Sequence, residues 1–389
     1  MLTFAMPVSV IRFFAVTFAL LMVVPACCAG AAAGPIVAGY VFPQNMTLQP
    51  GQVDARNLTW IYYAFANIAD GRMVEGFAAD AQNLPQVVAL KRENPKLKVL
   101  ISVGGWNWSG GFSNAALTPQ SRARFIESAV EFLRRYNLDG MDLDWEYPGQ
   151  PGAGHSYRKE DRENFTALVR ELRQRLNAES GRTHSRLYLT IAAGASLQYL
   201  EDTQMDQVQR FVDAVNLMTY DSYVPGADAT TGNHAPLYAD PADPKRASAD
   251  AAVKAFVKAG VPAAKILLGV PFYGKAWSDV ADAHHGLFQP GKAASGGDLP
   301  YGAITGTMLG HGFTRYWDDA SSVPYLYSAE KREFVTYEDP ESIATKCDYV
   351  LHHGLGGIMF WNYFNDPSGT LLDAIHTAMH QRKPVPAGR

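Results

Sequence analysis

Apolar runs of six to nine residues recur along the chain, separated by stretches in which apolar residues return every three or four positions. The runs Ile36–Phe42, Leu58–Ala66, Leu97–Val103, Gly140–Tyr147, Leu187–Ala193, Ala214–Thr219, Ile266–Phe272 and Gly356–Trp361 read as strands. The intervening periodicity predicts helices over Leu84–Arg92, Thr118–Tyr136, Arg158–Asn177, Ser248–Ala259 and Thr370–Met379. In the second of these, Phe125, Ala129, Phe132 and Leu133 share one face. Ser248 is an N-cap residue type, and Gly260 is the residue type expected just past a helix end. Strands that are mostly apolar on both faces need cover on both sides, which a parallel sheet alternating with helices provides. Eight such units predict a closed (β/α)8 TIM barrel, of α/β class. The rival is an open doubly wound sheet, but no glycine-rich dinucleotide loop follows the first strand.

One interval breaks the alternation. About eighty residues, Lys275 to Gly354, separate the seventh and eighth strands, too many for a barrel connection. The interval is dense in aromatics and predicts a small α+β insertion at residues 276–337, standing on the C-terminal rim. The barrel would then comprise residues 34–275 and 338–389, with an irregular loop at Ser222–Lys245.

Residues 1–33 read as an export signal: Arg12 is their only charge, Phe13–Val24 is apolar, and small residues follow. The expected location is secreted or periplasmic. A lipoprotein site at Val24-Pro25-Ala26-Cys27 is the second reading, since Pro25 fits it badly. Removal of the segment leaves Cys347 as the lone thiol, read as a buried small residue. The 34 basic against 38 acidic residues suggest no nucleic-acid or anionic-membrane partner. Aromatic residues reach 12%, which suits either a large aromatic core or stacking on sugar rings. The acceptor sequences at Asn45, Asn57, Asn107 and Asn164 carry meaning only in a glycosylating host.

The candidate chemistry lies in Leu138–Pro148, where Asp139, Asp142, Asp144 and Glu146 fall within eight residues. Alternation puts Asp142, Asp144 and Glu146 on one face of the fourth strand and Met141, Leu143 and Trp145 on the other. Glu146 comes at the C-terminal end, where barrel enzymes place their chemistry. Carboxylates this close share protons, so one pKa rises and a general acid results. A metal cluster or structural acid network is the competing account, but no other strand end offers a second acid cluster or a histidine.

This stretch matches the D-x-x-D-x-D-x-E signature and resembles family 18 glycoside hydrolases, the chitinases and their relatives. Ser102-Val-Gly104-Gly105 resembles their S-x-G-G motif and Met218-Thr-Tyr220-Asp221 their M-x-Y-D motif. Trp361 resembles the tryptophan that floors their sugar site. The four motifs span about residues 36–380 in the expected order. One subfamily carries an α+β insertion between strands seven and eight, where this chain has its long interval.

The resemblance implies a retaining, substrate-assisted glycosidase. Glu146 would protonate the glycosidic oxygen, and the substrate's 2-acetamido oxygen would attack, forming an oxazolinium. Asp144 would hold the acetamido N–H and share a proton with Glu146 or Asp142. Tyr220 would donate to the acetamido carbonyl, and Asp221, Met218 and Tyr40 would contact sugar along with Trp361. By position alone, Phe65 reads as a sugar contact or as barrel filling, and Trp106 as a sugar contact or as buried under the rim. Ser102, Gly104, Gly105 and Asp139 would support the site, with Ser102 and Tyr40 beside Asp142. Many relatives have Arg after the Tyr-Gly that ends the seventh strand, where this chain has Lys275, so no role is transferred to it.

Weaker signals come from Tyr63, on the same parity as Phe65, from Trp108, and from Trp277 and Trp317 as walls of a groove. The pairs His284-His285 and His352-His353 read as solvated or packing residues. No cofactor or metal is implied. The expected partner is chitin or an N-acetylglucosamine-containing oligosaccharide, bound by a monomer with no membrane contact beyond a lipid anchor. Two alternatives are an endo-β-N-acetylglucosaminidase acting on N-glycan cores and a non-catalytic chitin-binding lectin, which would typically lack the acid that Glu146 supplies.

Overall fold

In the computed structural model, eight parallel strands close on themselves: Ile36–Val41, Trp60–Ala69, Lys98–Gly104, Gly140–Asp144, Tyr188–Gly194, Ala214–Met218, Ile266–Pro271 and Gly357–Trp361. Each pairs with its sequence neighbours, and the first closes onto the eighth, Ile36 against Gly357. The structure describes residues 1–3, 5 and 34–380. The expected signal run Phe13–Val24 and the cysteines at 27 and 28 lie outside the described residues. No helix among the described residues is long and apolar enough to cross a membrane.

Alternation along the strands separates two apolar layers. Outward residues such as Ile61, Ile101, Met141, Leu143, Ile191 and Leu217 pack against the helices. Inward residues form a smaller cluster in the lumen, including Tyr40, Tyr62, Leu100, Leu267 and Met359. Helices begin where the sequence supplies caps. Thr118 and Ser121 form a reciprocal capping box ahead of Pro119–Tyr136, and Ser248 accepts the N–H of Ala251 before Ala249–Lys258. Asp339 and Ser342 form a capping box for Pro340–His352, a helix the apolar pattern did not mark. The helix expected at 158–177 runs Asp161–Thr183 instead.

Two departures bear on the site. The fourth strand ends at Asp144 rather than continuing to Tyr147. The second strand shifts register between Ala64 and Ala66. The shift separates Tyr63 from Phe65: Tyr63 faces the outer layer and donates to Asp80, while Phe65 joins the lumen cluster.

Between strands seven and eight stands an antiparallel sheet. Its strand Tyr273–Ser278 pairs with Lys292–Ala293, Leu299–Pro300 and Glu333–Thr336, and Val323–Ser328 and Thr314–Asp318 extend it. A short helix, Tyr301–Thr307, follows Pro300. Trp277, Tyr325, Tyr327 and Phe334 fill its core with Tyr223. Trp277 is therefore a core residue and walls no groove; Trp317 lies under the Arg315 guanidinium and also stays out of the central cavity. His285 stacks on Tyr316 and His353 on Tyr349. Cys347 is buried, which pushes its thiol up to about 12.

Candidate active site

The site is built outward from Asp142, at the bottom of the acidic row. Register places it between Ser102 of strand three and Thr190 of strand five. Its carboxylate accepts four hydrogen bonds: from Tyr40 Oη at 2.9 Å and Ser102 Oγ at 2.8 Å on Oδ2, and from Thr190 Oγ1 at 2.7 Å and Asn216 Nδ2 at 3.0 Å on Oδ1. Burial pushes the Asp142 carboxyl up, and these four donors pull it back. Thr190 and Asn216 escaped the sequence reading. Their signal was there: each is a lone polar residue inside an apolar run, on the lumen parity of its strand.

Asp144 lies one pleat higher, 4% exposed, and its Oδ1 is buried with no hydrogen-bond partner among the described residues. Burial, then the charges of Glu146 and Asp142, hold its carboxyl well above the usual range. Glu146 follows the end of the strand. Its backbone N–H donates to Ser109 Oγ at 2.9 Å, and Ser109 Oγ in turn donates to the carbonyls of Gly105 and Asp144. Ser109, another residue the sequence reading passed over, thus pins the turn that carries the acid. Burial pushes Glu146 up to about 7; the Tyr147 side chain lowers it and the charge of Asp221 raises it.

The glycine pair is required by close approach. A Cβ on Gly104 would sit 2.3 Å from the Asp144 carbonyl oxygen, and one on Gly105 would meet the Phe65 ring at 2.7 Å; both glycines have positive φ. Asp139, off the parity of the row, accepts the Val99 N–H at 2.8 Å and pairs with Lys91 at 2.5 Å, at the opposite end of the strand.

Across the lumen, strand six delivers Met218, Tyr220 and Asp221. Burial, then Asp144 and Asp221, keep the Tyr220 hydroxyl well above its ordinary value, so it is a donor at every pH of interest. Asp221 Oδ1 accepts from Tyr273 Oη at 2.7 Å and is approached by Lys275 Nζ at 3.1 Å and His234 Nδ1 at 3.6 Å. Burial alone would raise this carboxyl; His234, the Lys275 charge and Tyr273 outweigh it and hold it down to about 2. His234 and Tyr273 were not singled out in the sequence, and Lys275, noted there as a departure from the relatives' Arg, had been given no role.

These groups share one cavity of about 590 Å³. Asp144, Glu146, Tyr147, Tyr220, Asp221, Met218, Gly104, Phe65, Trp106 and Trp361 all line it, so strand ends far apart in sequence meet there. Trp361 stacks on Phe65 with centroids 5.4 Å apart and is flanked by Phe42 at 5.2 Å. Trp106 is 49% exposed, whereas Trp108 also lines the cavity but packs on Phe77. Tyr40 departs from expectation as a sugar contact. It is 2% exposed, off the cavity wall, and donates its hydroxyl to Asp142 beneath Trp361.

Comparison with known proteins places this geometry. Residues 36–366 match the family model for glycosyl hydrolases family 18. Chitinase A1 of Niallia circulans is 39% identical over 350 residues, covering 82% of this chain and 50% of that protein, so the chain spans half of that relative's length. Among solved structures, a glycoside hydrolase family 18 N-acetylglucosaminidase from Paenibacillus barengoltzii is 42% identical with a TM-score of 0.82, covering 88% of this chain and 99% of its own. A class V chitinase from Nicotiana tobaccum in complex with NAG4 is 27% identical with a TM-score of 0.81, covering 89% and 99%. The acidic row at the mouth of the barrel, the sequence match over its full circuit and the shared fold agree: the chain belongs to family 18 of the glycosyl hydrolases.

Proposed function

We propose that this protein hydrolyses β-1,4-linked N-acetylglucosamine polymers or oligomers with retention of configuration, using the substrate's acetamido group as the nucleophile. The observation that carries this reading is the pairing of Glu146, held near pH 7, with Asp144, a cavity-lining residue whose buried Oδ1 has no hydrogen-bond partner among the described residues. A carboxyl near 7 is protonated enough to donate and weak enough to let the proton go. Glu146 gives its proton to the glycosidic oxygen as the C1–O bond breaks. The acetamido oxygen closes on C1, forming an oxazolinium whose N–H is taken by Asp144 Oδ1. Tyr220 donates to the acetamido oxygen and aims it. Water then opens the oxazolinium, with Glu146 as the base that recovers its proton. The stacked Trp361 presents an apolar face to the sugar. The names of the relatives support N-acetylglucosamine chains as the substrate class. The apolar run at Phe13–Val24 supports export to a secreted or periplasmic location.

A second reading, an N-acetylglucosaminidase releasing single sugars, is favoured by the 42% identical Paenibacillus barengoltzii neighbour. Products from chitohexaose separate the two: internal fragments support a chitinase, monomer alone supports the second. For either, Glu146→Gln lowers kcat by about 10²- to 10⁴-fold while leaving the Kd for N-acetylchitooligosaccharides within a few-fold, the range for loss of a general acid. A variant that keeps wild-type turnover refutes the mechanism.

A further inference from the structure

The inserted sheet reaches the reaction site through Tyr273 and Lys275 on its strand Tyr273–Ser278 and, beyond that strand, through Asp298. Asp298 lies in the turn between Lys292–Ala293 and Leu299–Pro300, both of which pair with Tyr273–Ser278. Its Oδ1 binds Lys275 Nζ at 2.7 Å, and the same ammonium stands 3.1 Å from Asp221 Oδ1. Lys275 is nearly buried, its side chain 6% exposed, while Asp298 is 56% exposed on the cavity rim. The three groups that approach Asp221, namely Tyr273, Lys275 and His234, all do so at Oδ1. Asp221 Oδ2 takes no hydrogen bond from the described residues. A carboxylate held on one oxygen by the Tyr273 hydroxyl and the Lys275 ammonium, with the His234 ring against it at 3.6 Å, presents the other oxygen in one direction. Lysine makes a poor anchor by itself: four rotatable bonds carry a point charge that a single partner does not orient. Two carboxylates on the one ammonium, Asp298 at 2.7 Å and Asp221 at 3.1 Å, restrict that freedom and compensate its burial.

We propose that Asp298 is a positioning residue: it holds Lys275, and through Lys275 the Asp221 carboxylate, so that Asp221 Oδ2 is presented to the sugar. The insertion thereby takes part in the reaction without touching the reacting atoms. This inference rests on the function proposed above, and it treats the sugar as the partner of Asp221 Oδ2. Asp298 also borders the cavity, so a direct contact between Asp298 and the sugar is the rival account, and the two differ in how substitutions combine.

The test is a double-mutant cycle on chitohexaose. Asp298→Asn lowers kcat/KM about tenfold, the order expected when a charged contact is lost and a carboxylate is misplaced. Lys275→Met lowers it at least as far, and the double variant is no worse than Lys275→Met alone. Asp298→Glu recovers most of the loss, and Lys275→Arg, which keeps the charge in the buried site, retains the dependence on Asp298. If Asp298→Asn has no effect, or if the two losses multiply in the double variant, the proposal is wrong. Asp298 is exposed, so its variants should melt with the wild type, which separates positioning from folding. The same cycle read as Kd for the oligosaccharide tests the clamp independently of turnover. An inactive wild type refutes the proposed function; an active one with multiplying losses refutes only the clamp.

Discussion

Glu146 and Asp221 line the same cavity, yet one carboxyl is pushed up to about 7 and the other is held down to about 2. Burial acts on both in the same direction, so the difference comes from the company each keeps. Glu146 ends a row of acids whose donors are neutral: Tyr40, Ser102, Thr190 and Asn216 all serve Asp142, and no cation is among them. Asp221 faces the Lys275 ammonium, the Tyr273 hydroxyl and the His234 ring. Hydroxyls and amides satisfy a carboxylate without adding charge, so the row must keep protons to be stable; a lysine lets its neighbour ionise fully. The barrel thus holds an acid that can give up a proton beside a carboxylate that only accepts hydrogen bonds.

After loss of the acid itself, the largest effect follows from cutting the row in the middle. Asp144→Asn removes the charge that helps keep Glu146 and Asp144 in one shared titration and replaces an acceptor by an amide that can point its NH₂ at the substrate. We expect kcat to fall by about 10²- to 10³-fold, the range for losing one preorganised polar contact to the developing charge. Steady-state kinetics on chitohexaose checks it. A rise in KM at unchanged kcat would make Asp144 a binding residue and dissolve the contrast with Asp221.

How far this contrast could be read beforehand differs between its two sides. The row was legible because alternation on a strand is a local rule: Asp142, Asp144 and Glu146 could be put on one face from spacing alone. The eight strands were legible for the same reason, each an apolar run bounded by turn residues. The clamp on Asp221 was not, because His234 lies in an irregular loop and Tyr273, Lys275 and Asp298 in the inserted sheet, the last three more than fifty residues beyond the carboxylate they serve. Only tertiary contact makes them neighbours. Tyr63 and Phe65 show a smaller failure of the same rule: one shift of register between Ala64 and Ala66 sent them to opposite sides of the barrel wall.

The next effect tests what the row costs in stability. The folded-state pKa of Glu146 is raised from 4.5 to about 7, so folding favours its protonated form. That stabilisation is fully present below pH 4.5 and is lost as pH rises through 7. Glu146→Gln, which is neutral throughout, should therefore match the wild type at about pH 4 and exceed it at about pH 8 by on the order of 2 kcal/mol. Urea unfolding at the two pH values measures the difference. Equal stability at both would mean that the acid is not strained by its surroundings, and the opposition to Asp221 would lose its electrostatic basis.

The smallest effect comes from the bottom of the row, where Tyr40 gives Asp142 one of its four hydrogen bonds. Tyr40→Phe keeps the ring against Trp361 and Tyr62 and removes only that donor. The buried carboxylate keeps its other three partners, so stability should drop by about 1 kcal/mol. With one donor fewer Asp142 holds a proton more readily, at the expense of the share held by Asp144 and Glu146, and kcat should fall a few-fold with KM unchanged. A rise in KM at constant kcat would instead restore Tyr40 to the sugar-binding role that the resemblance implied. Because Tyr40 lies beneath the cavity and not on its wall, the kcat effect is the one its position supports.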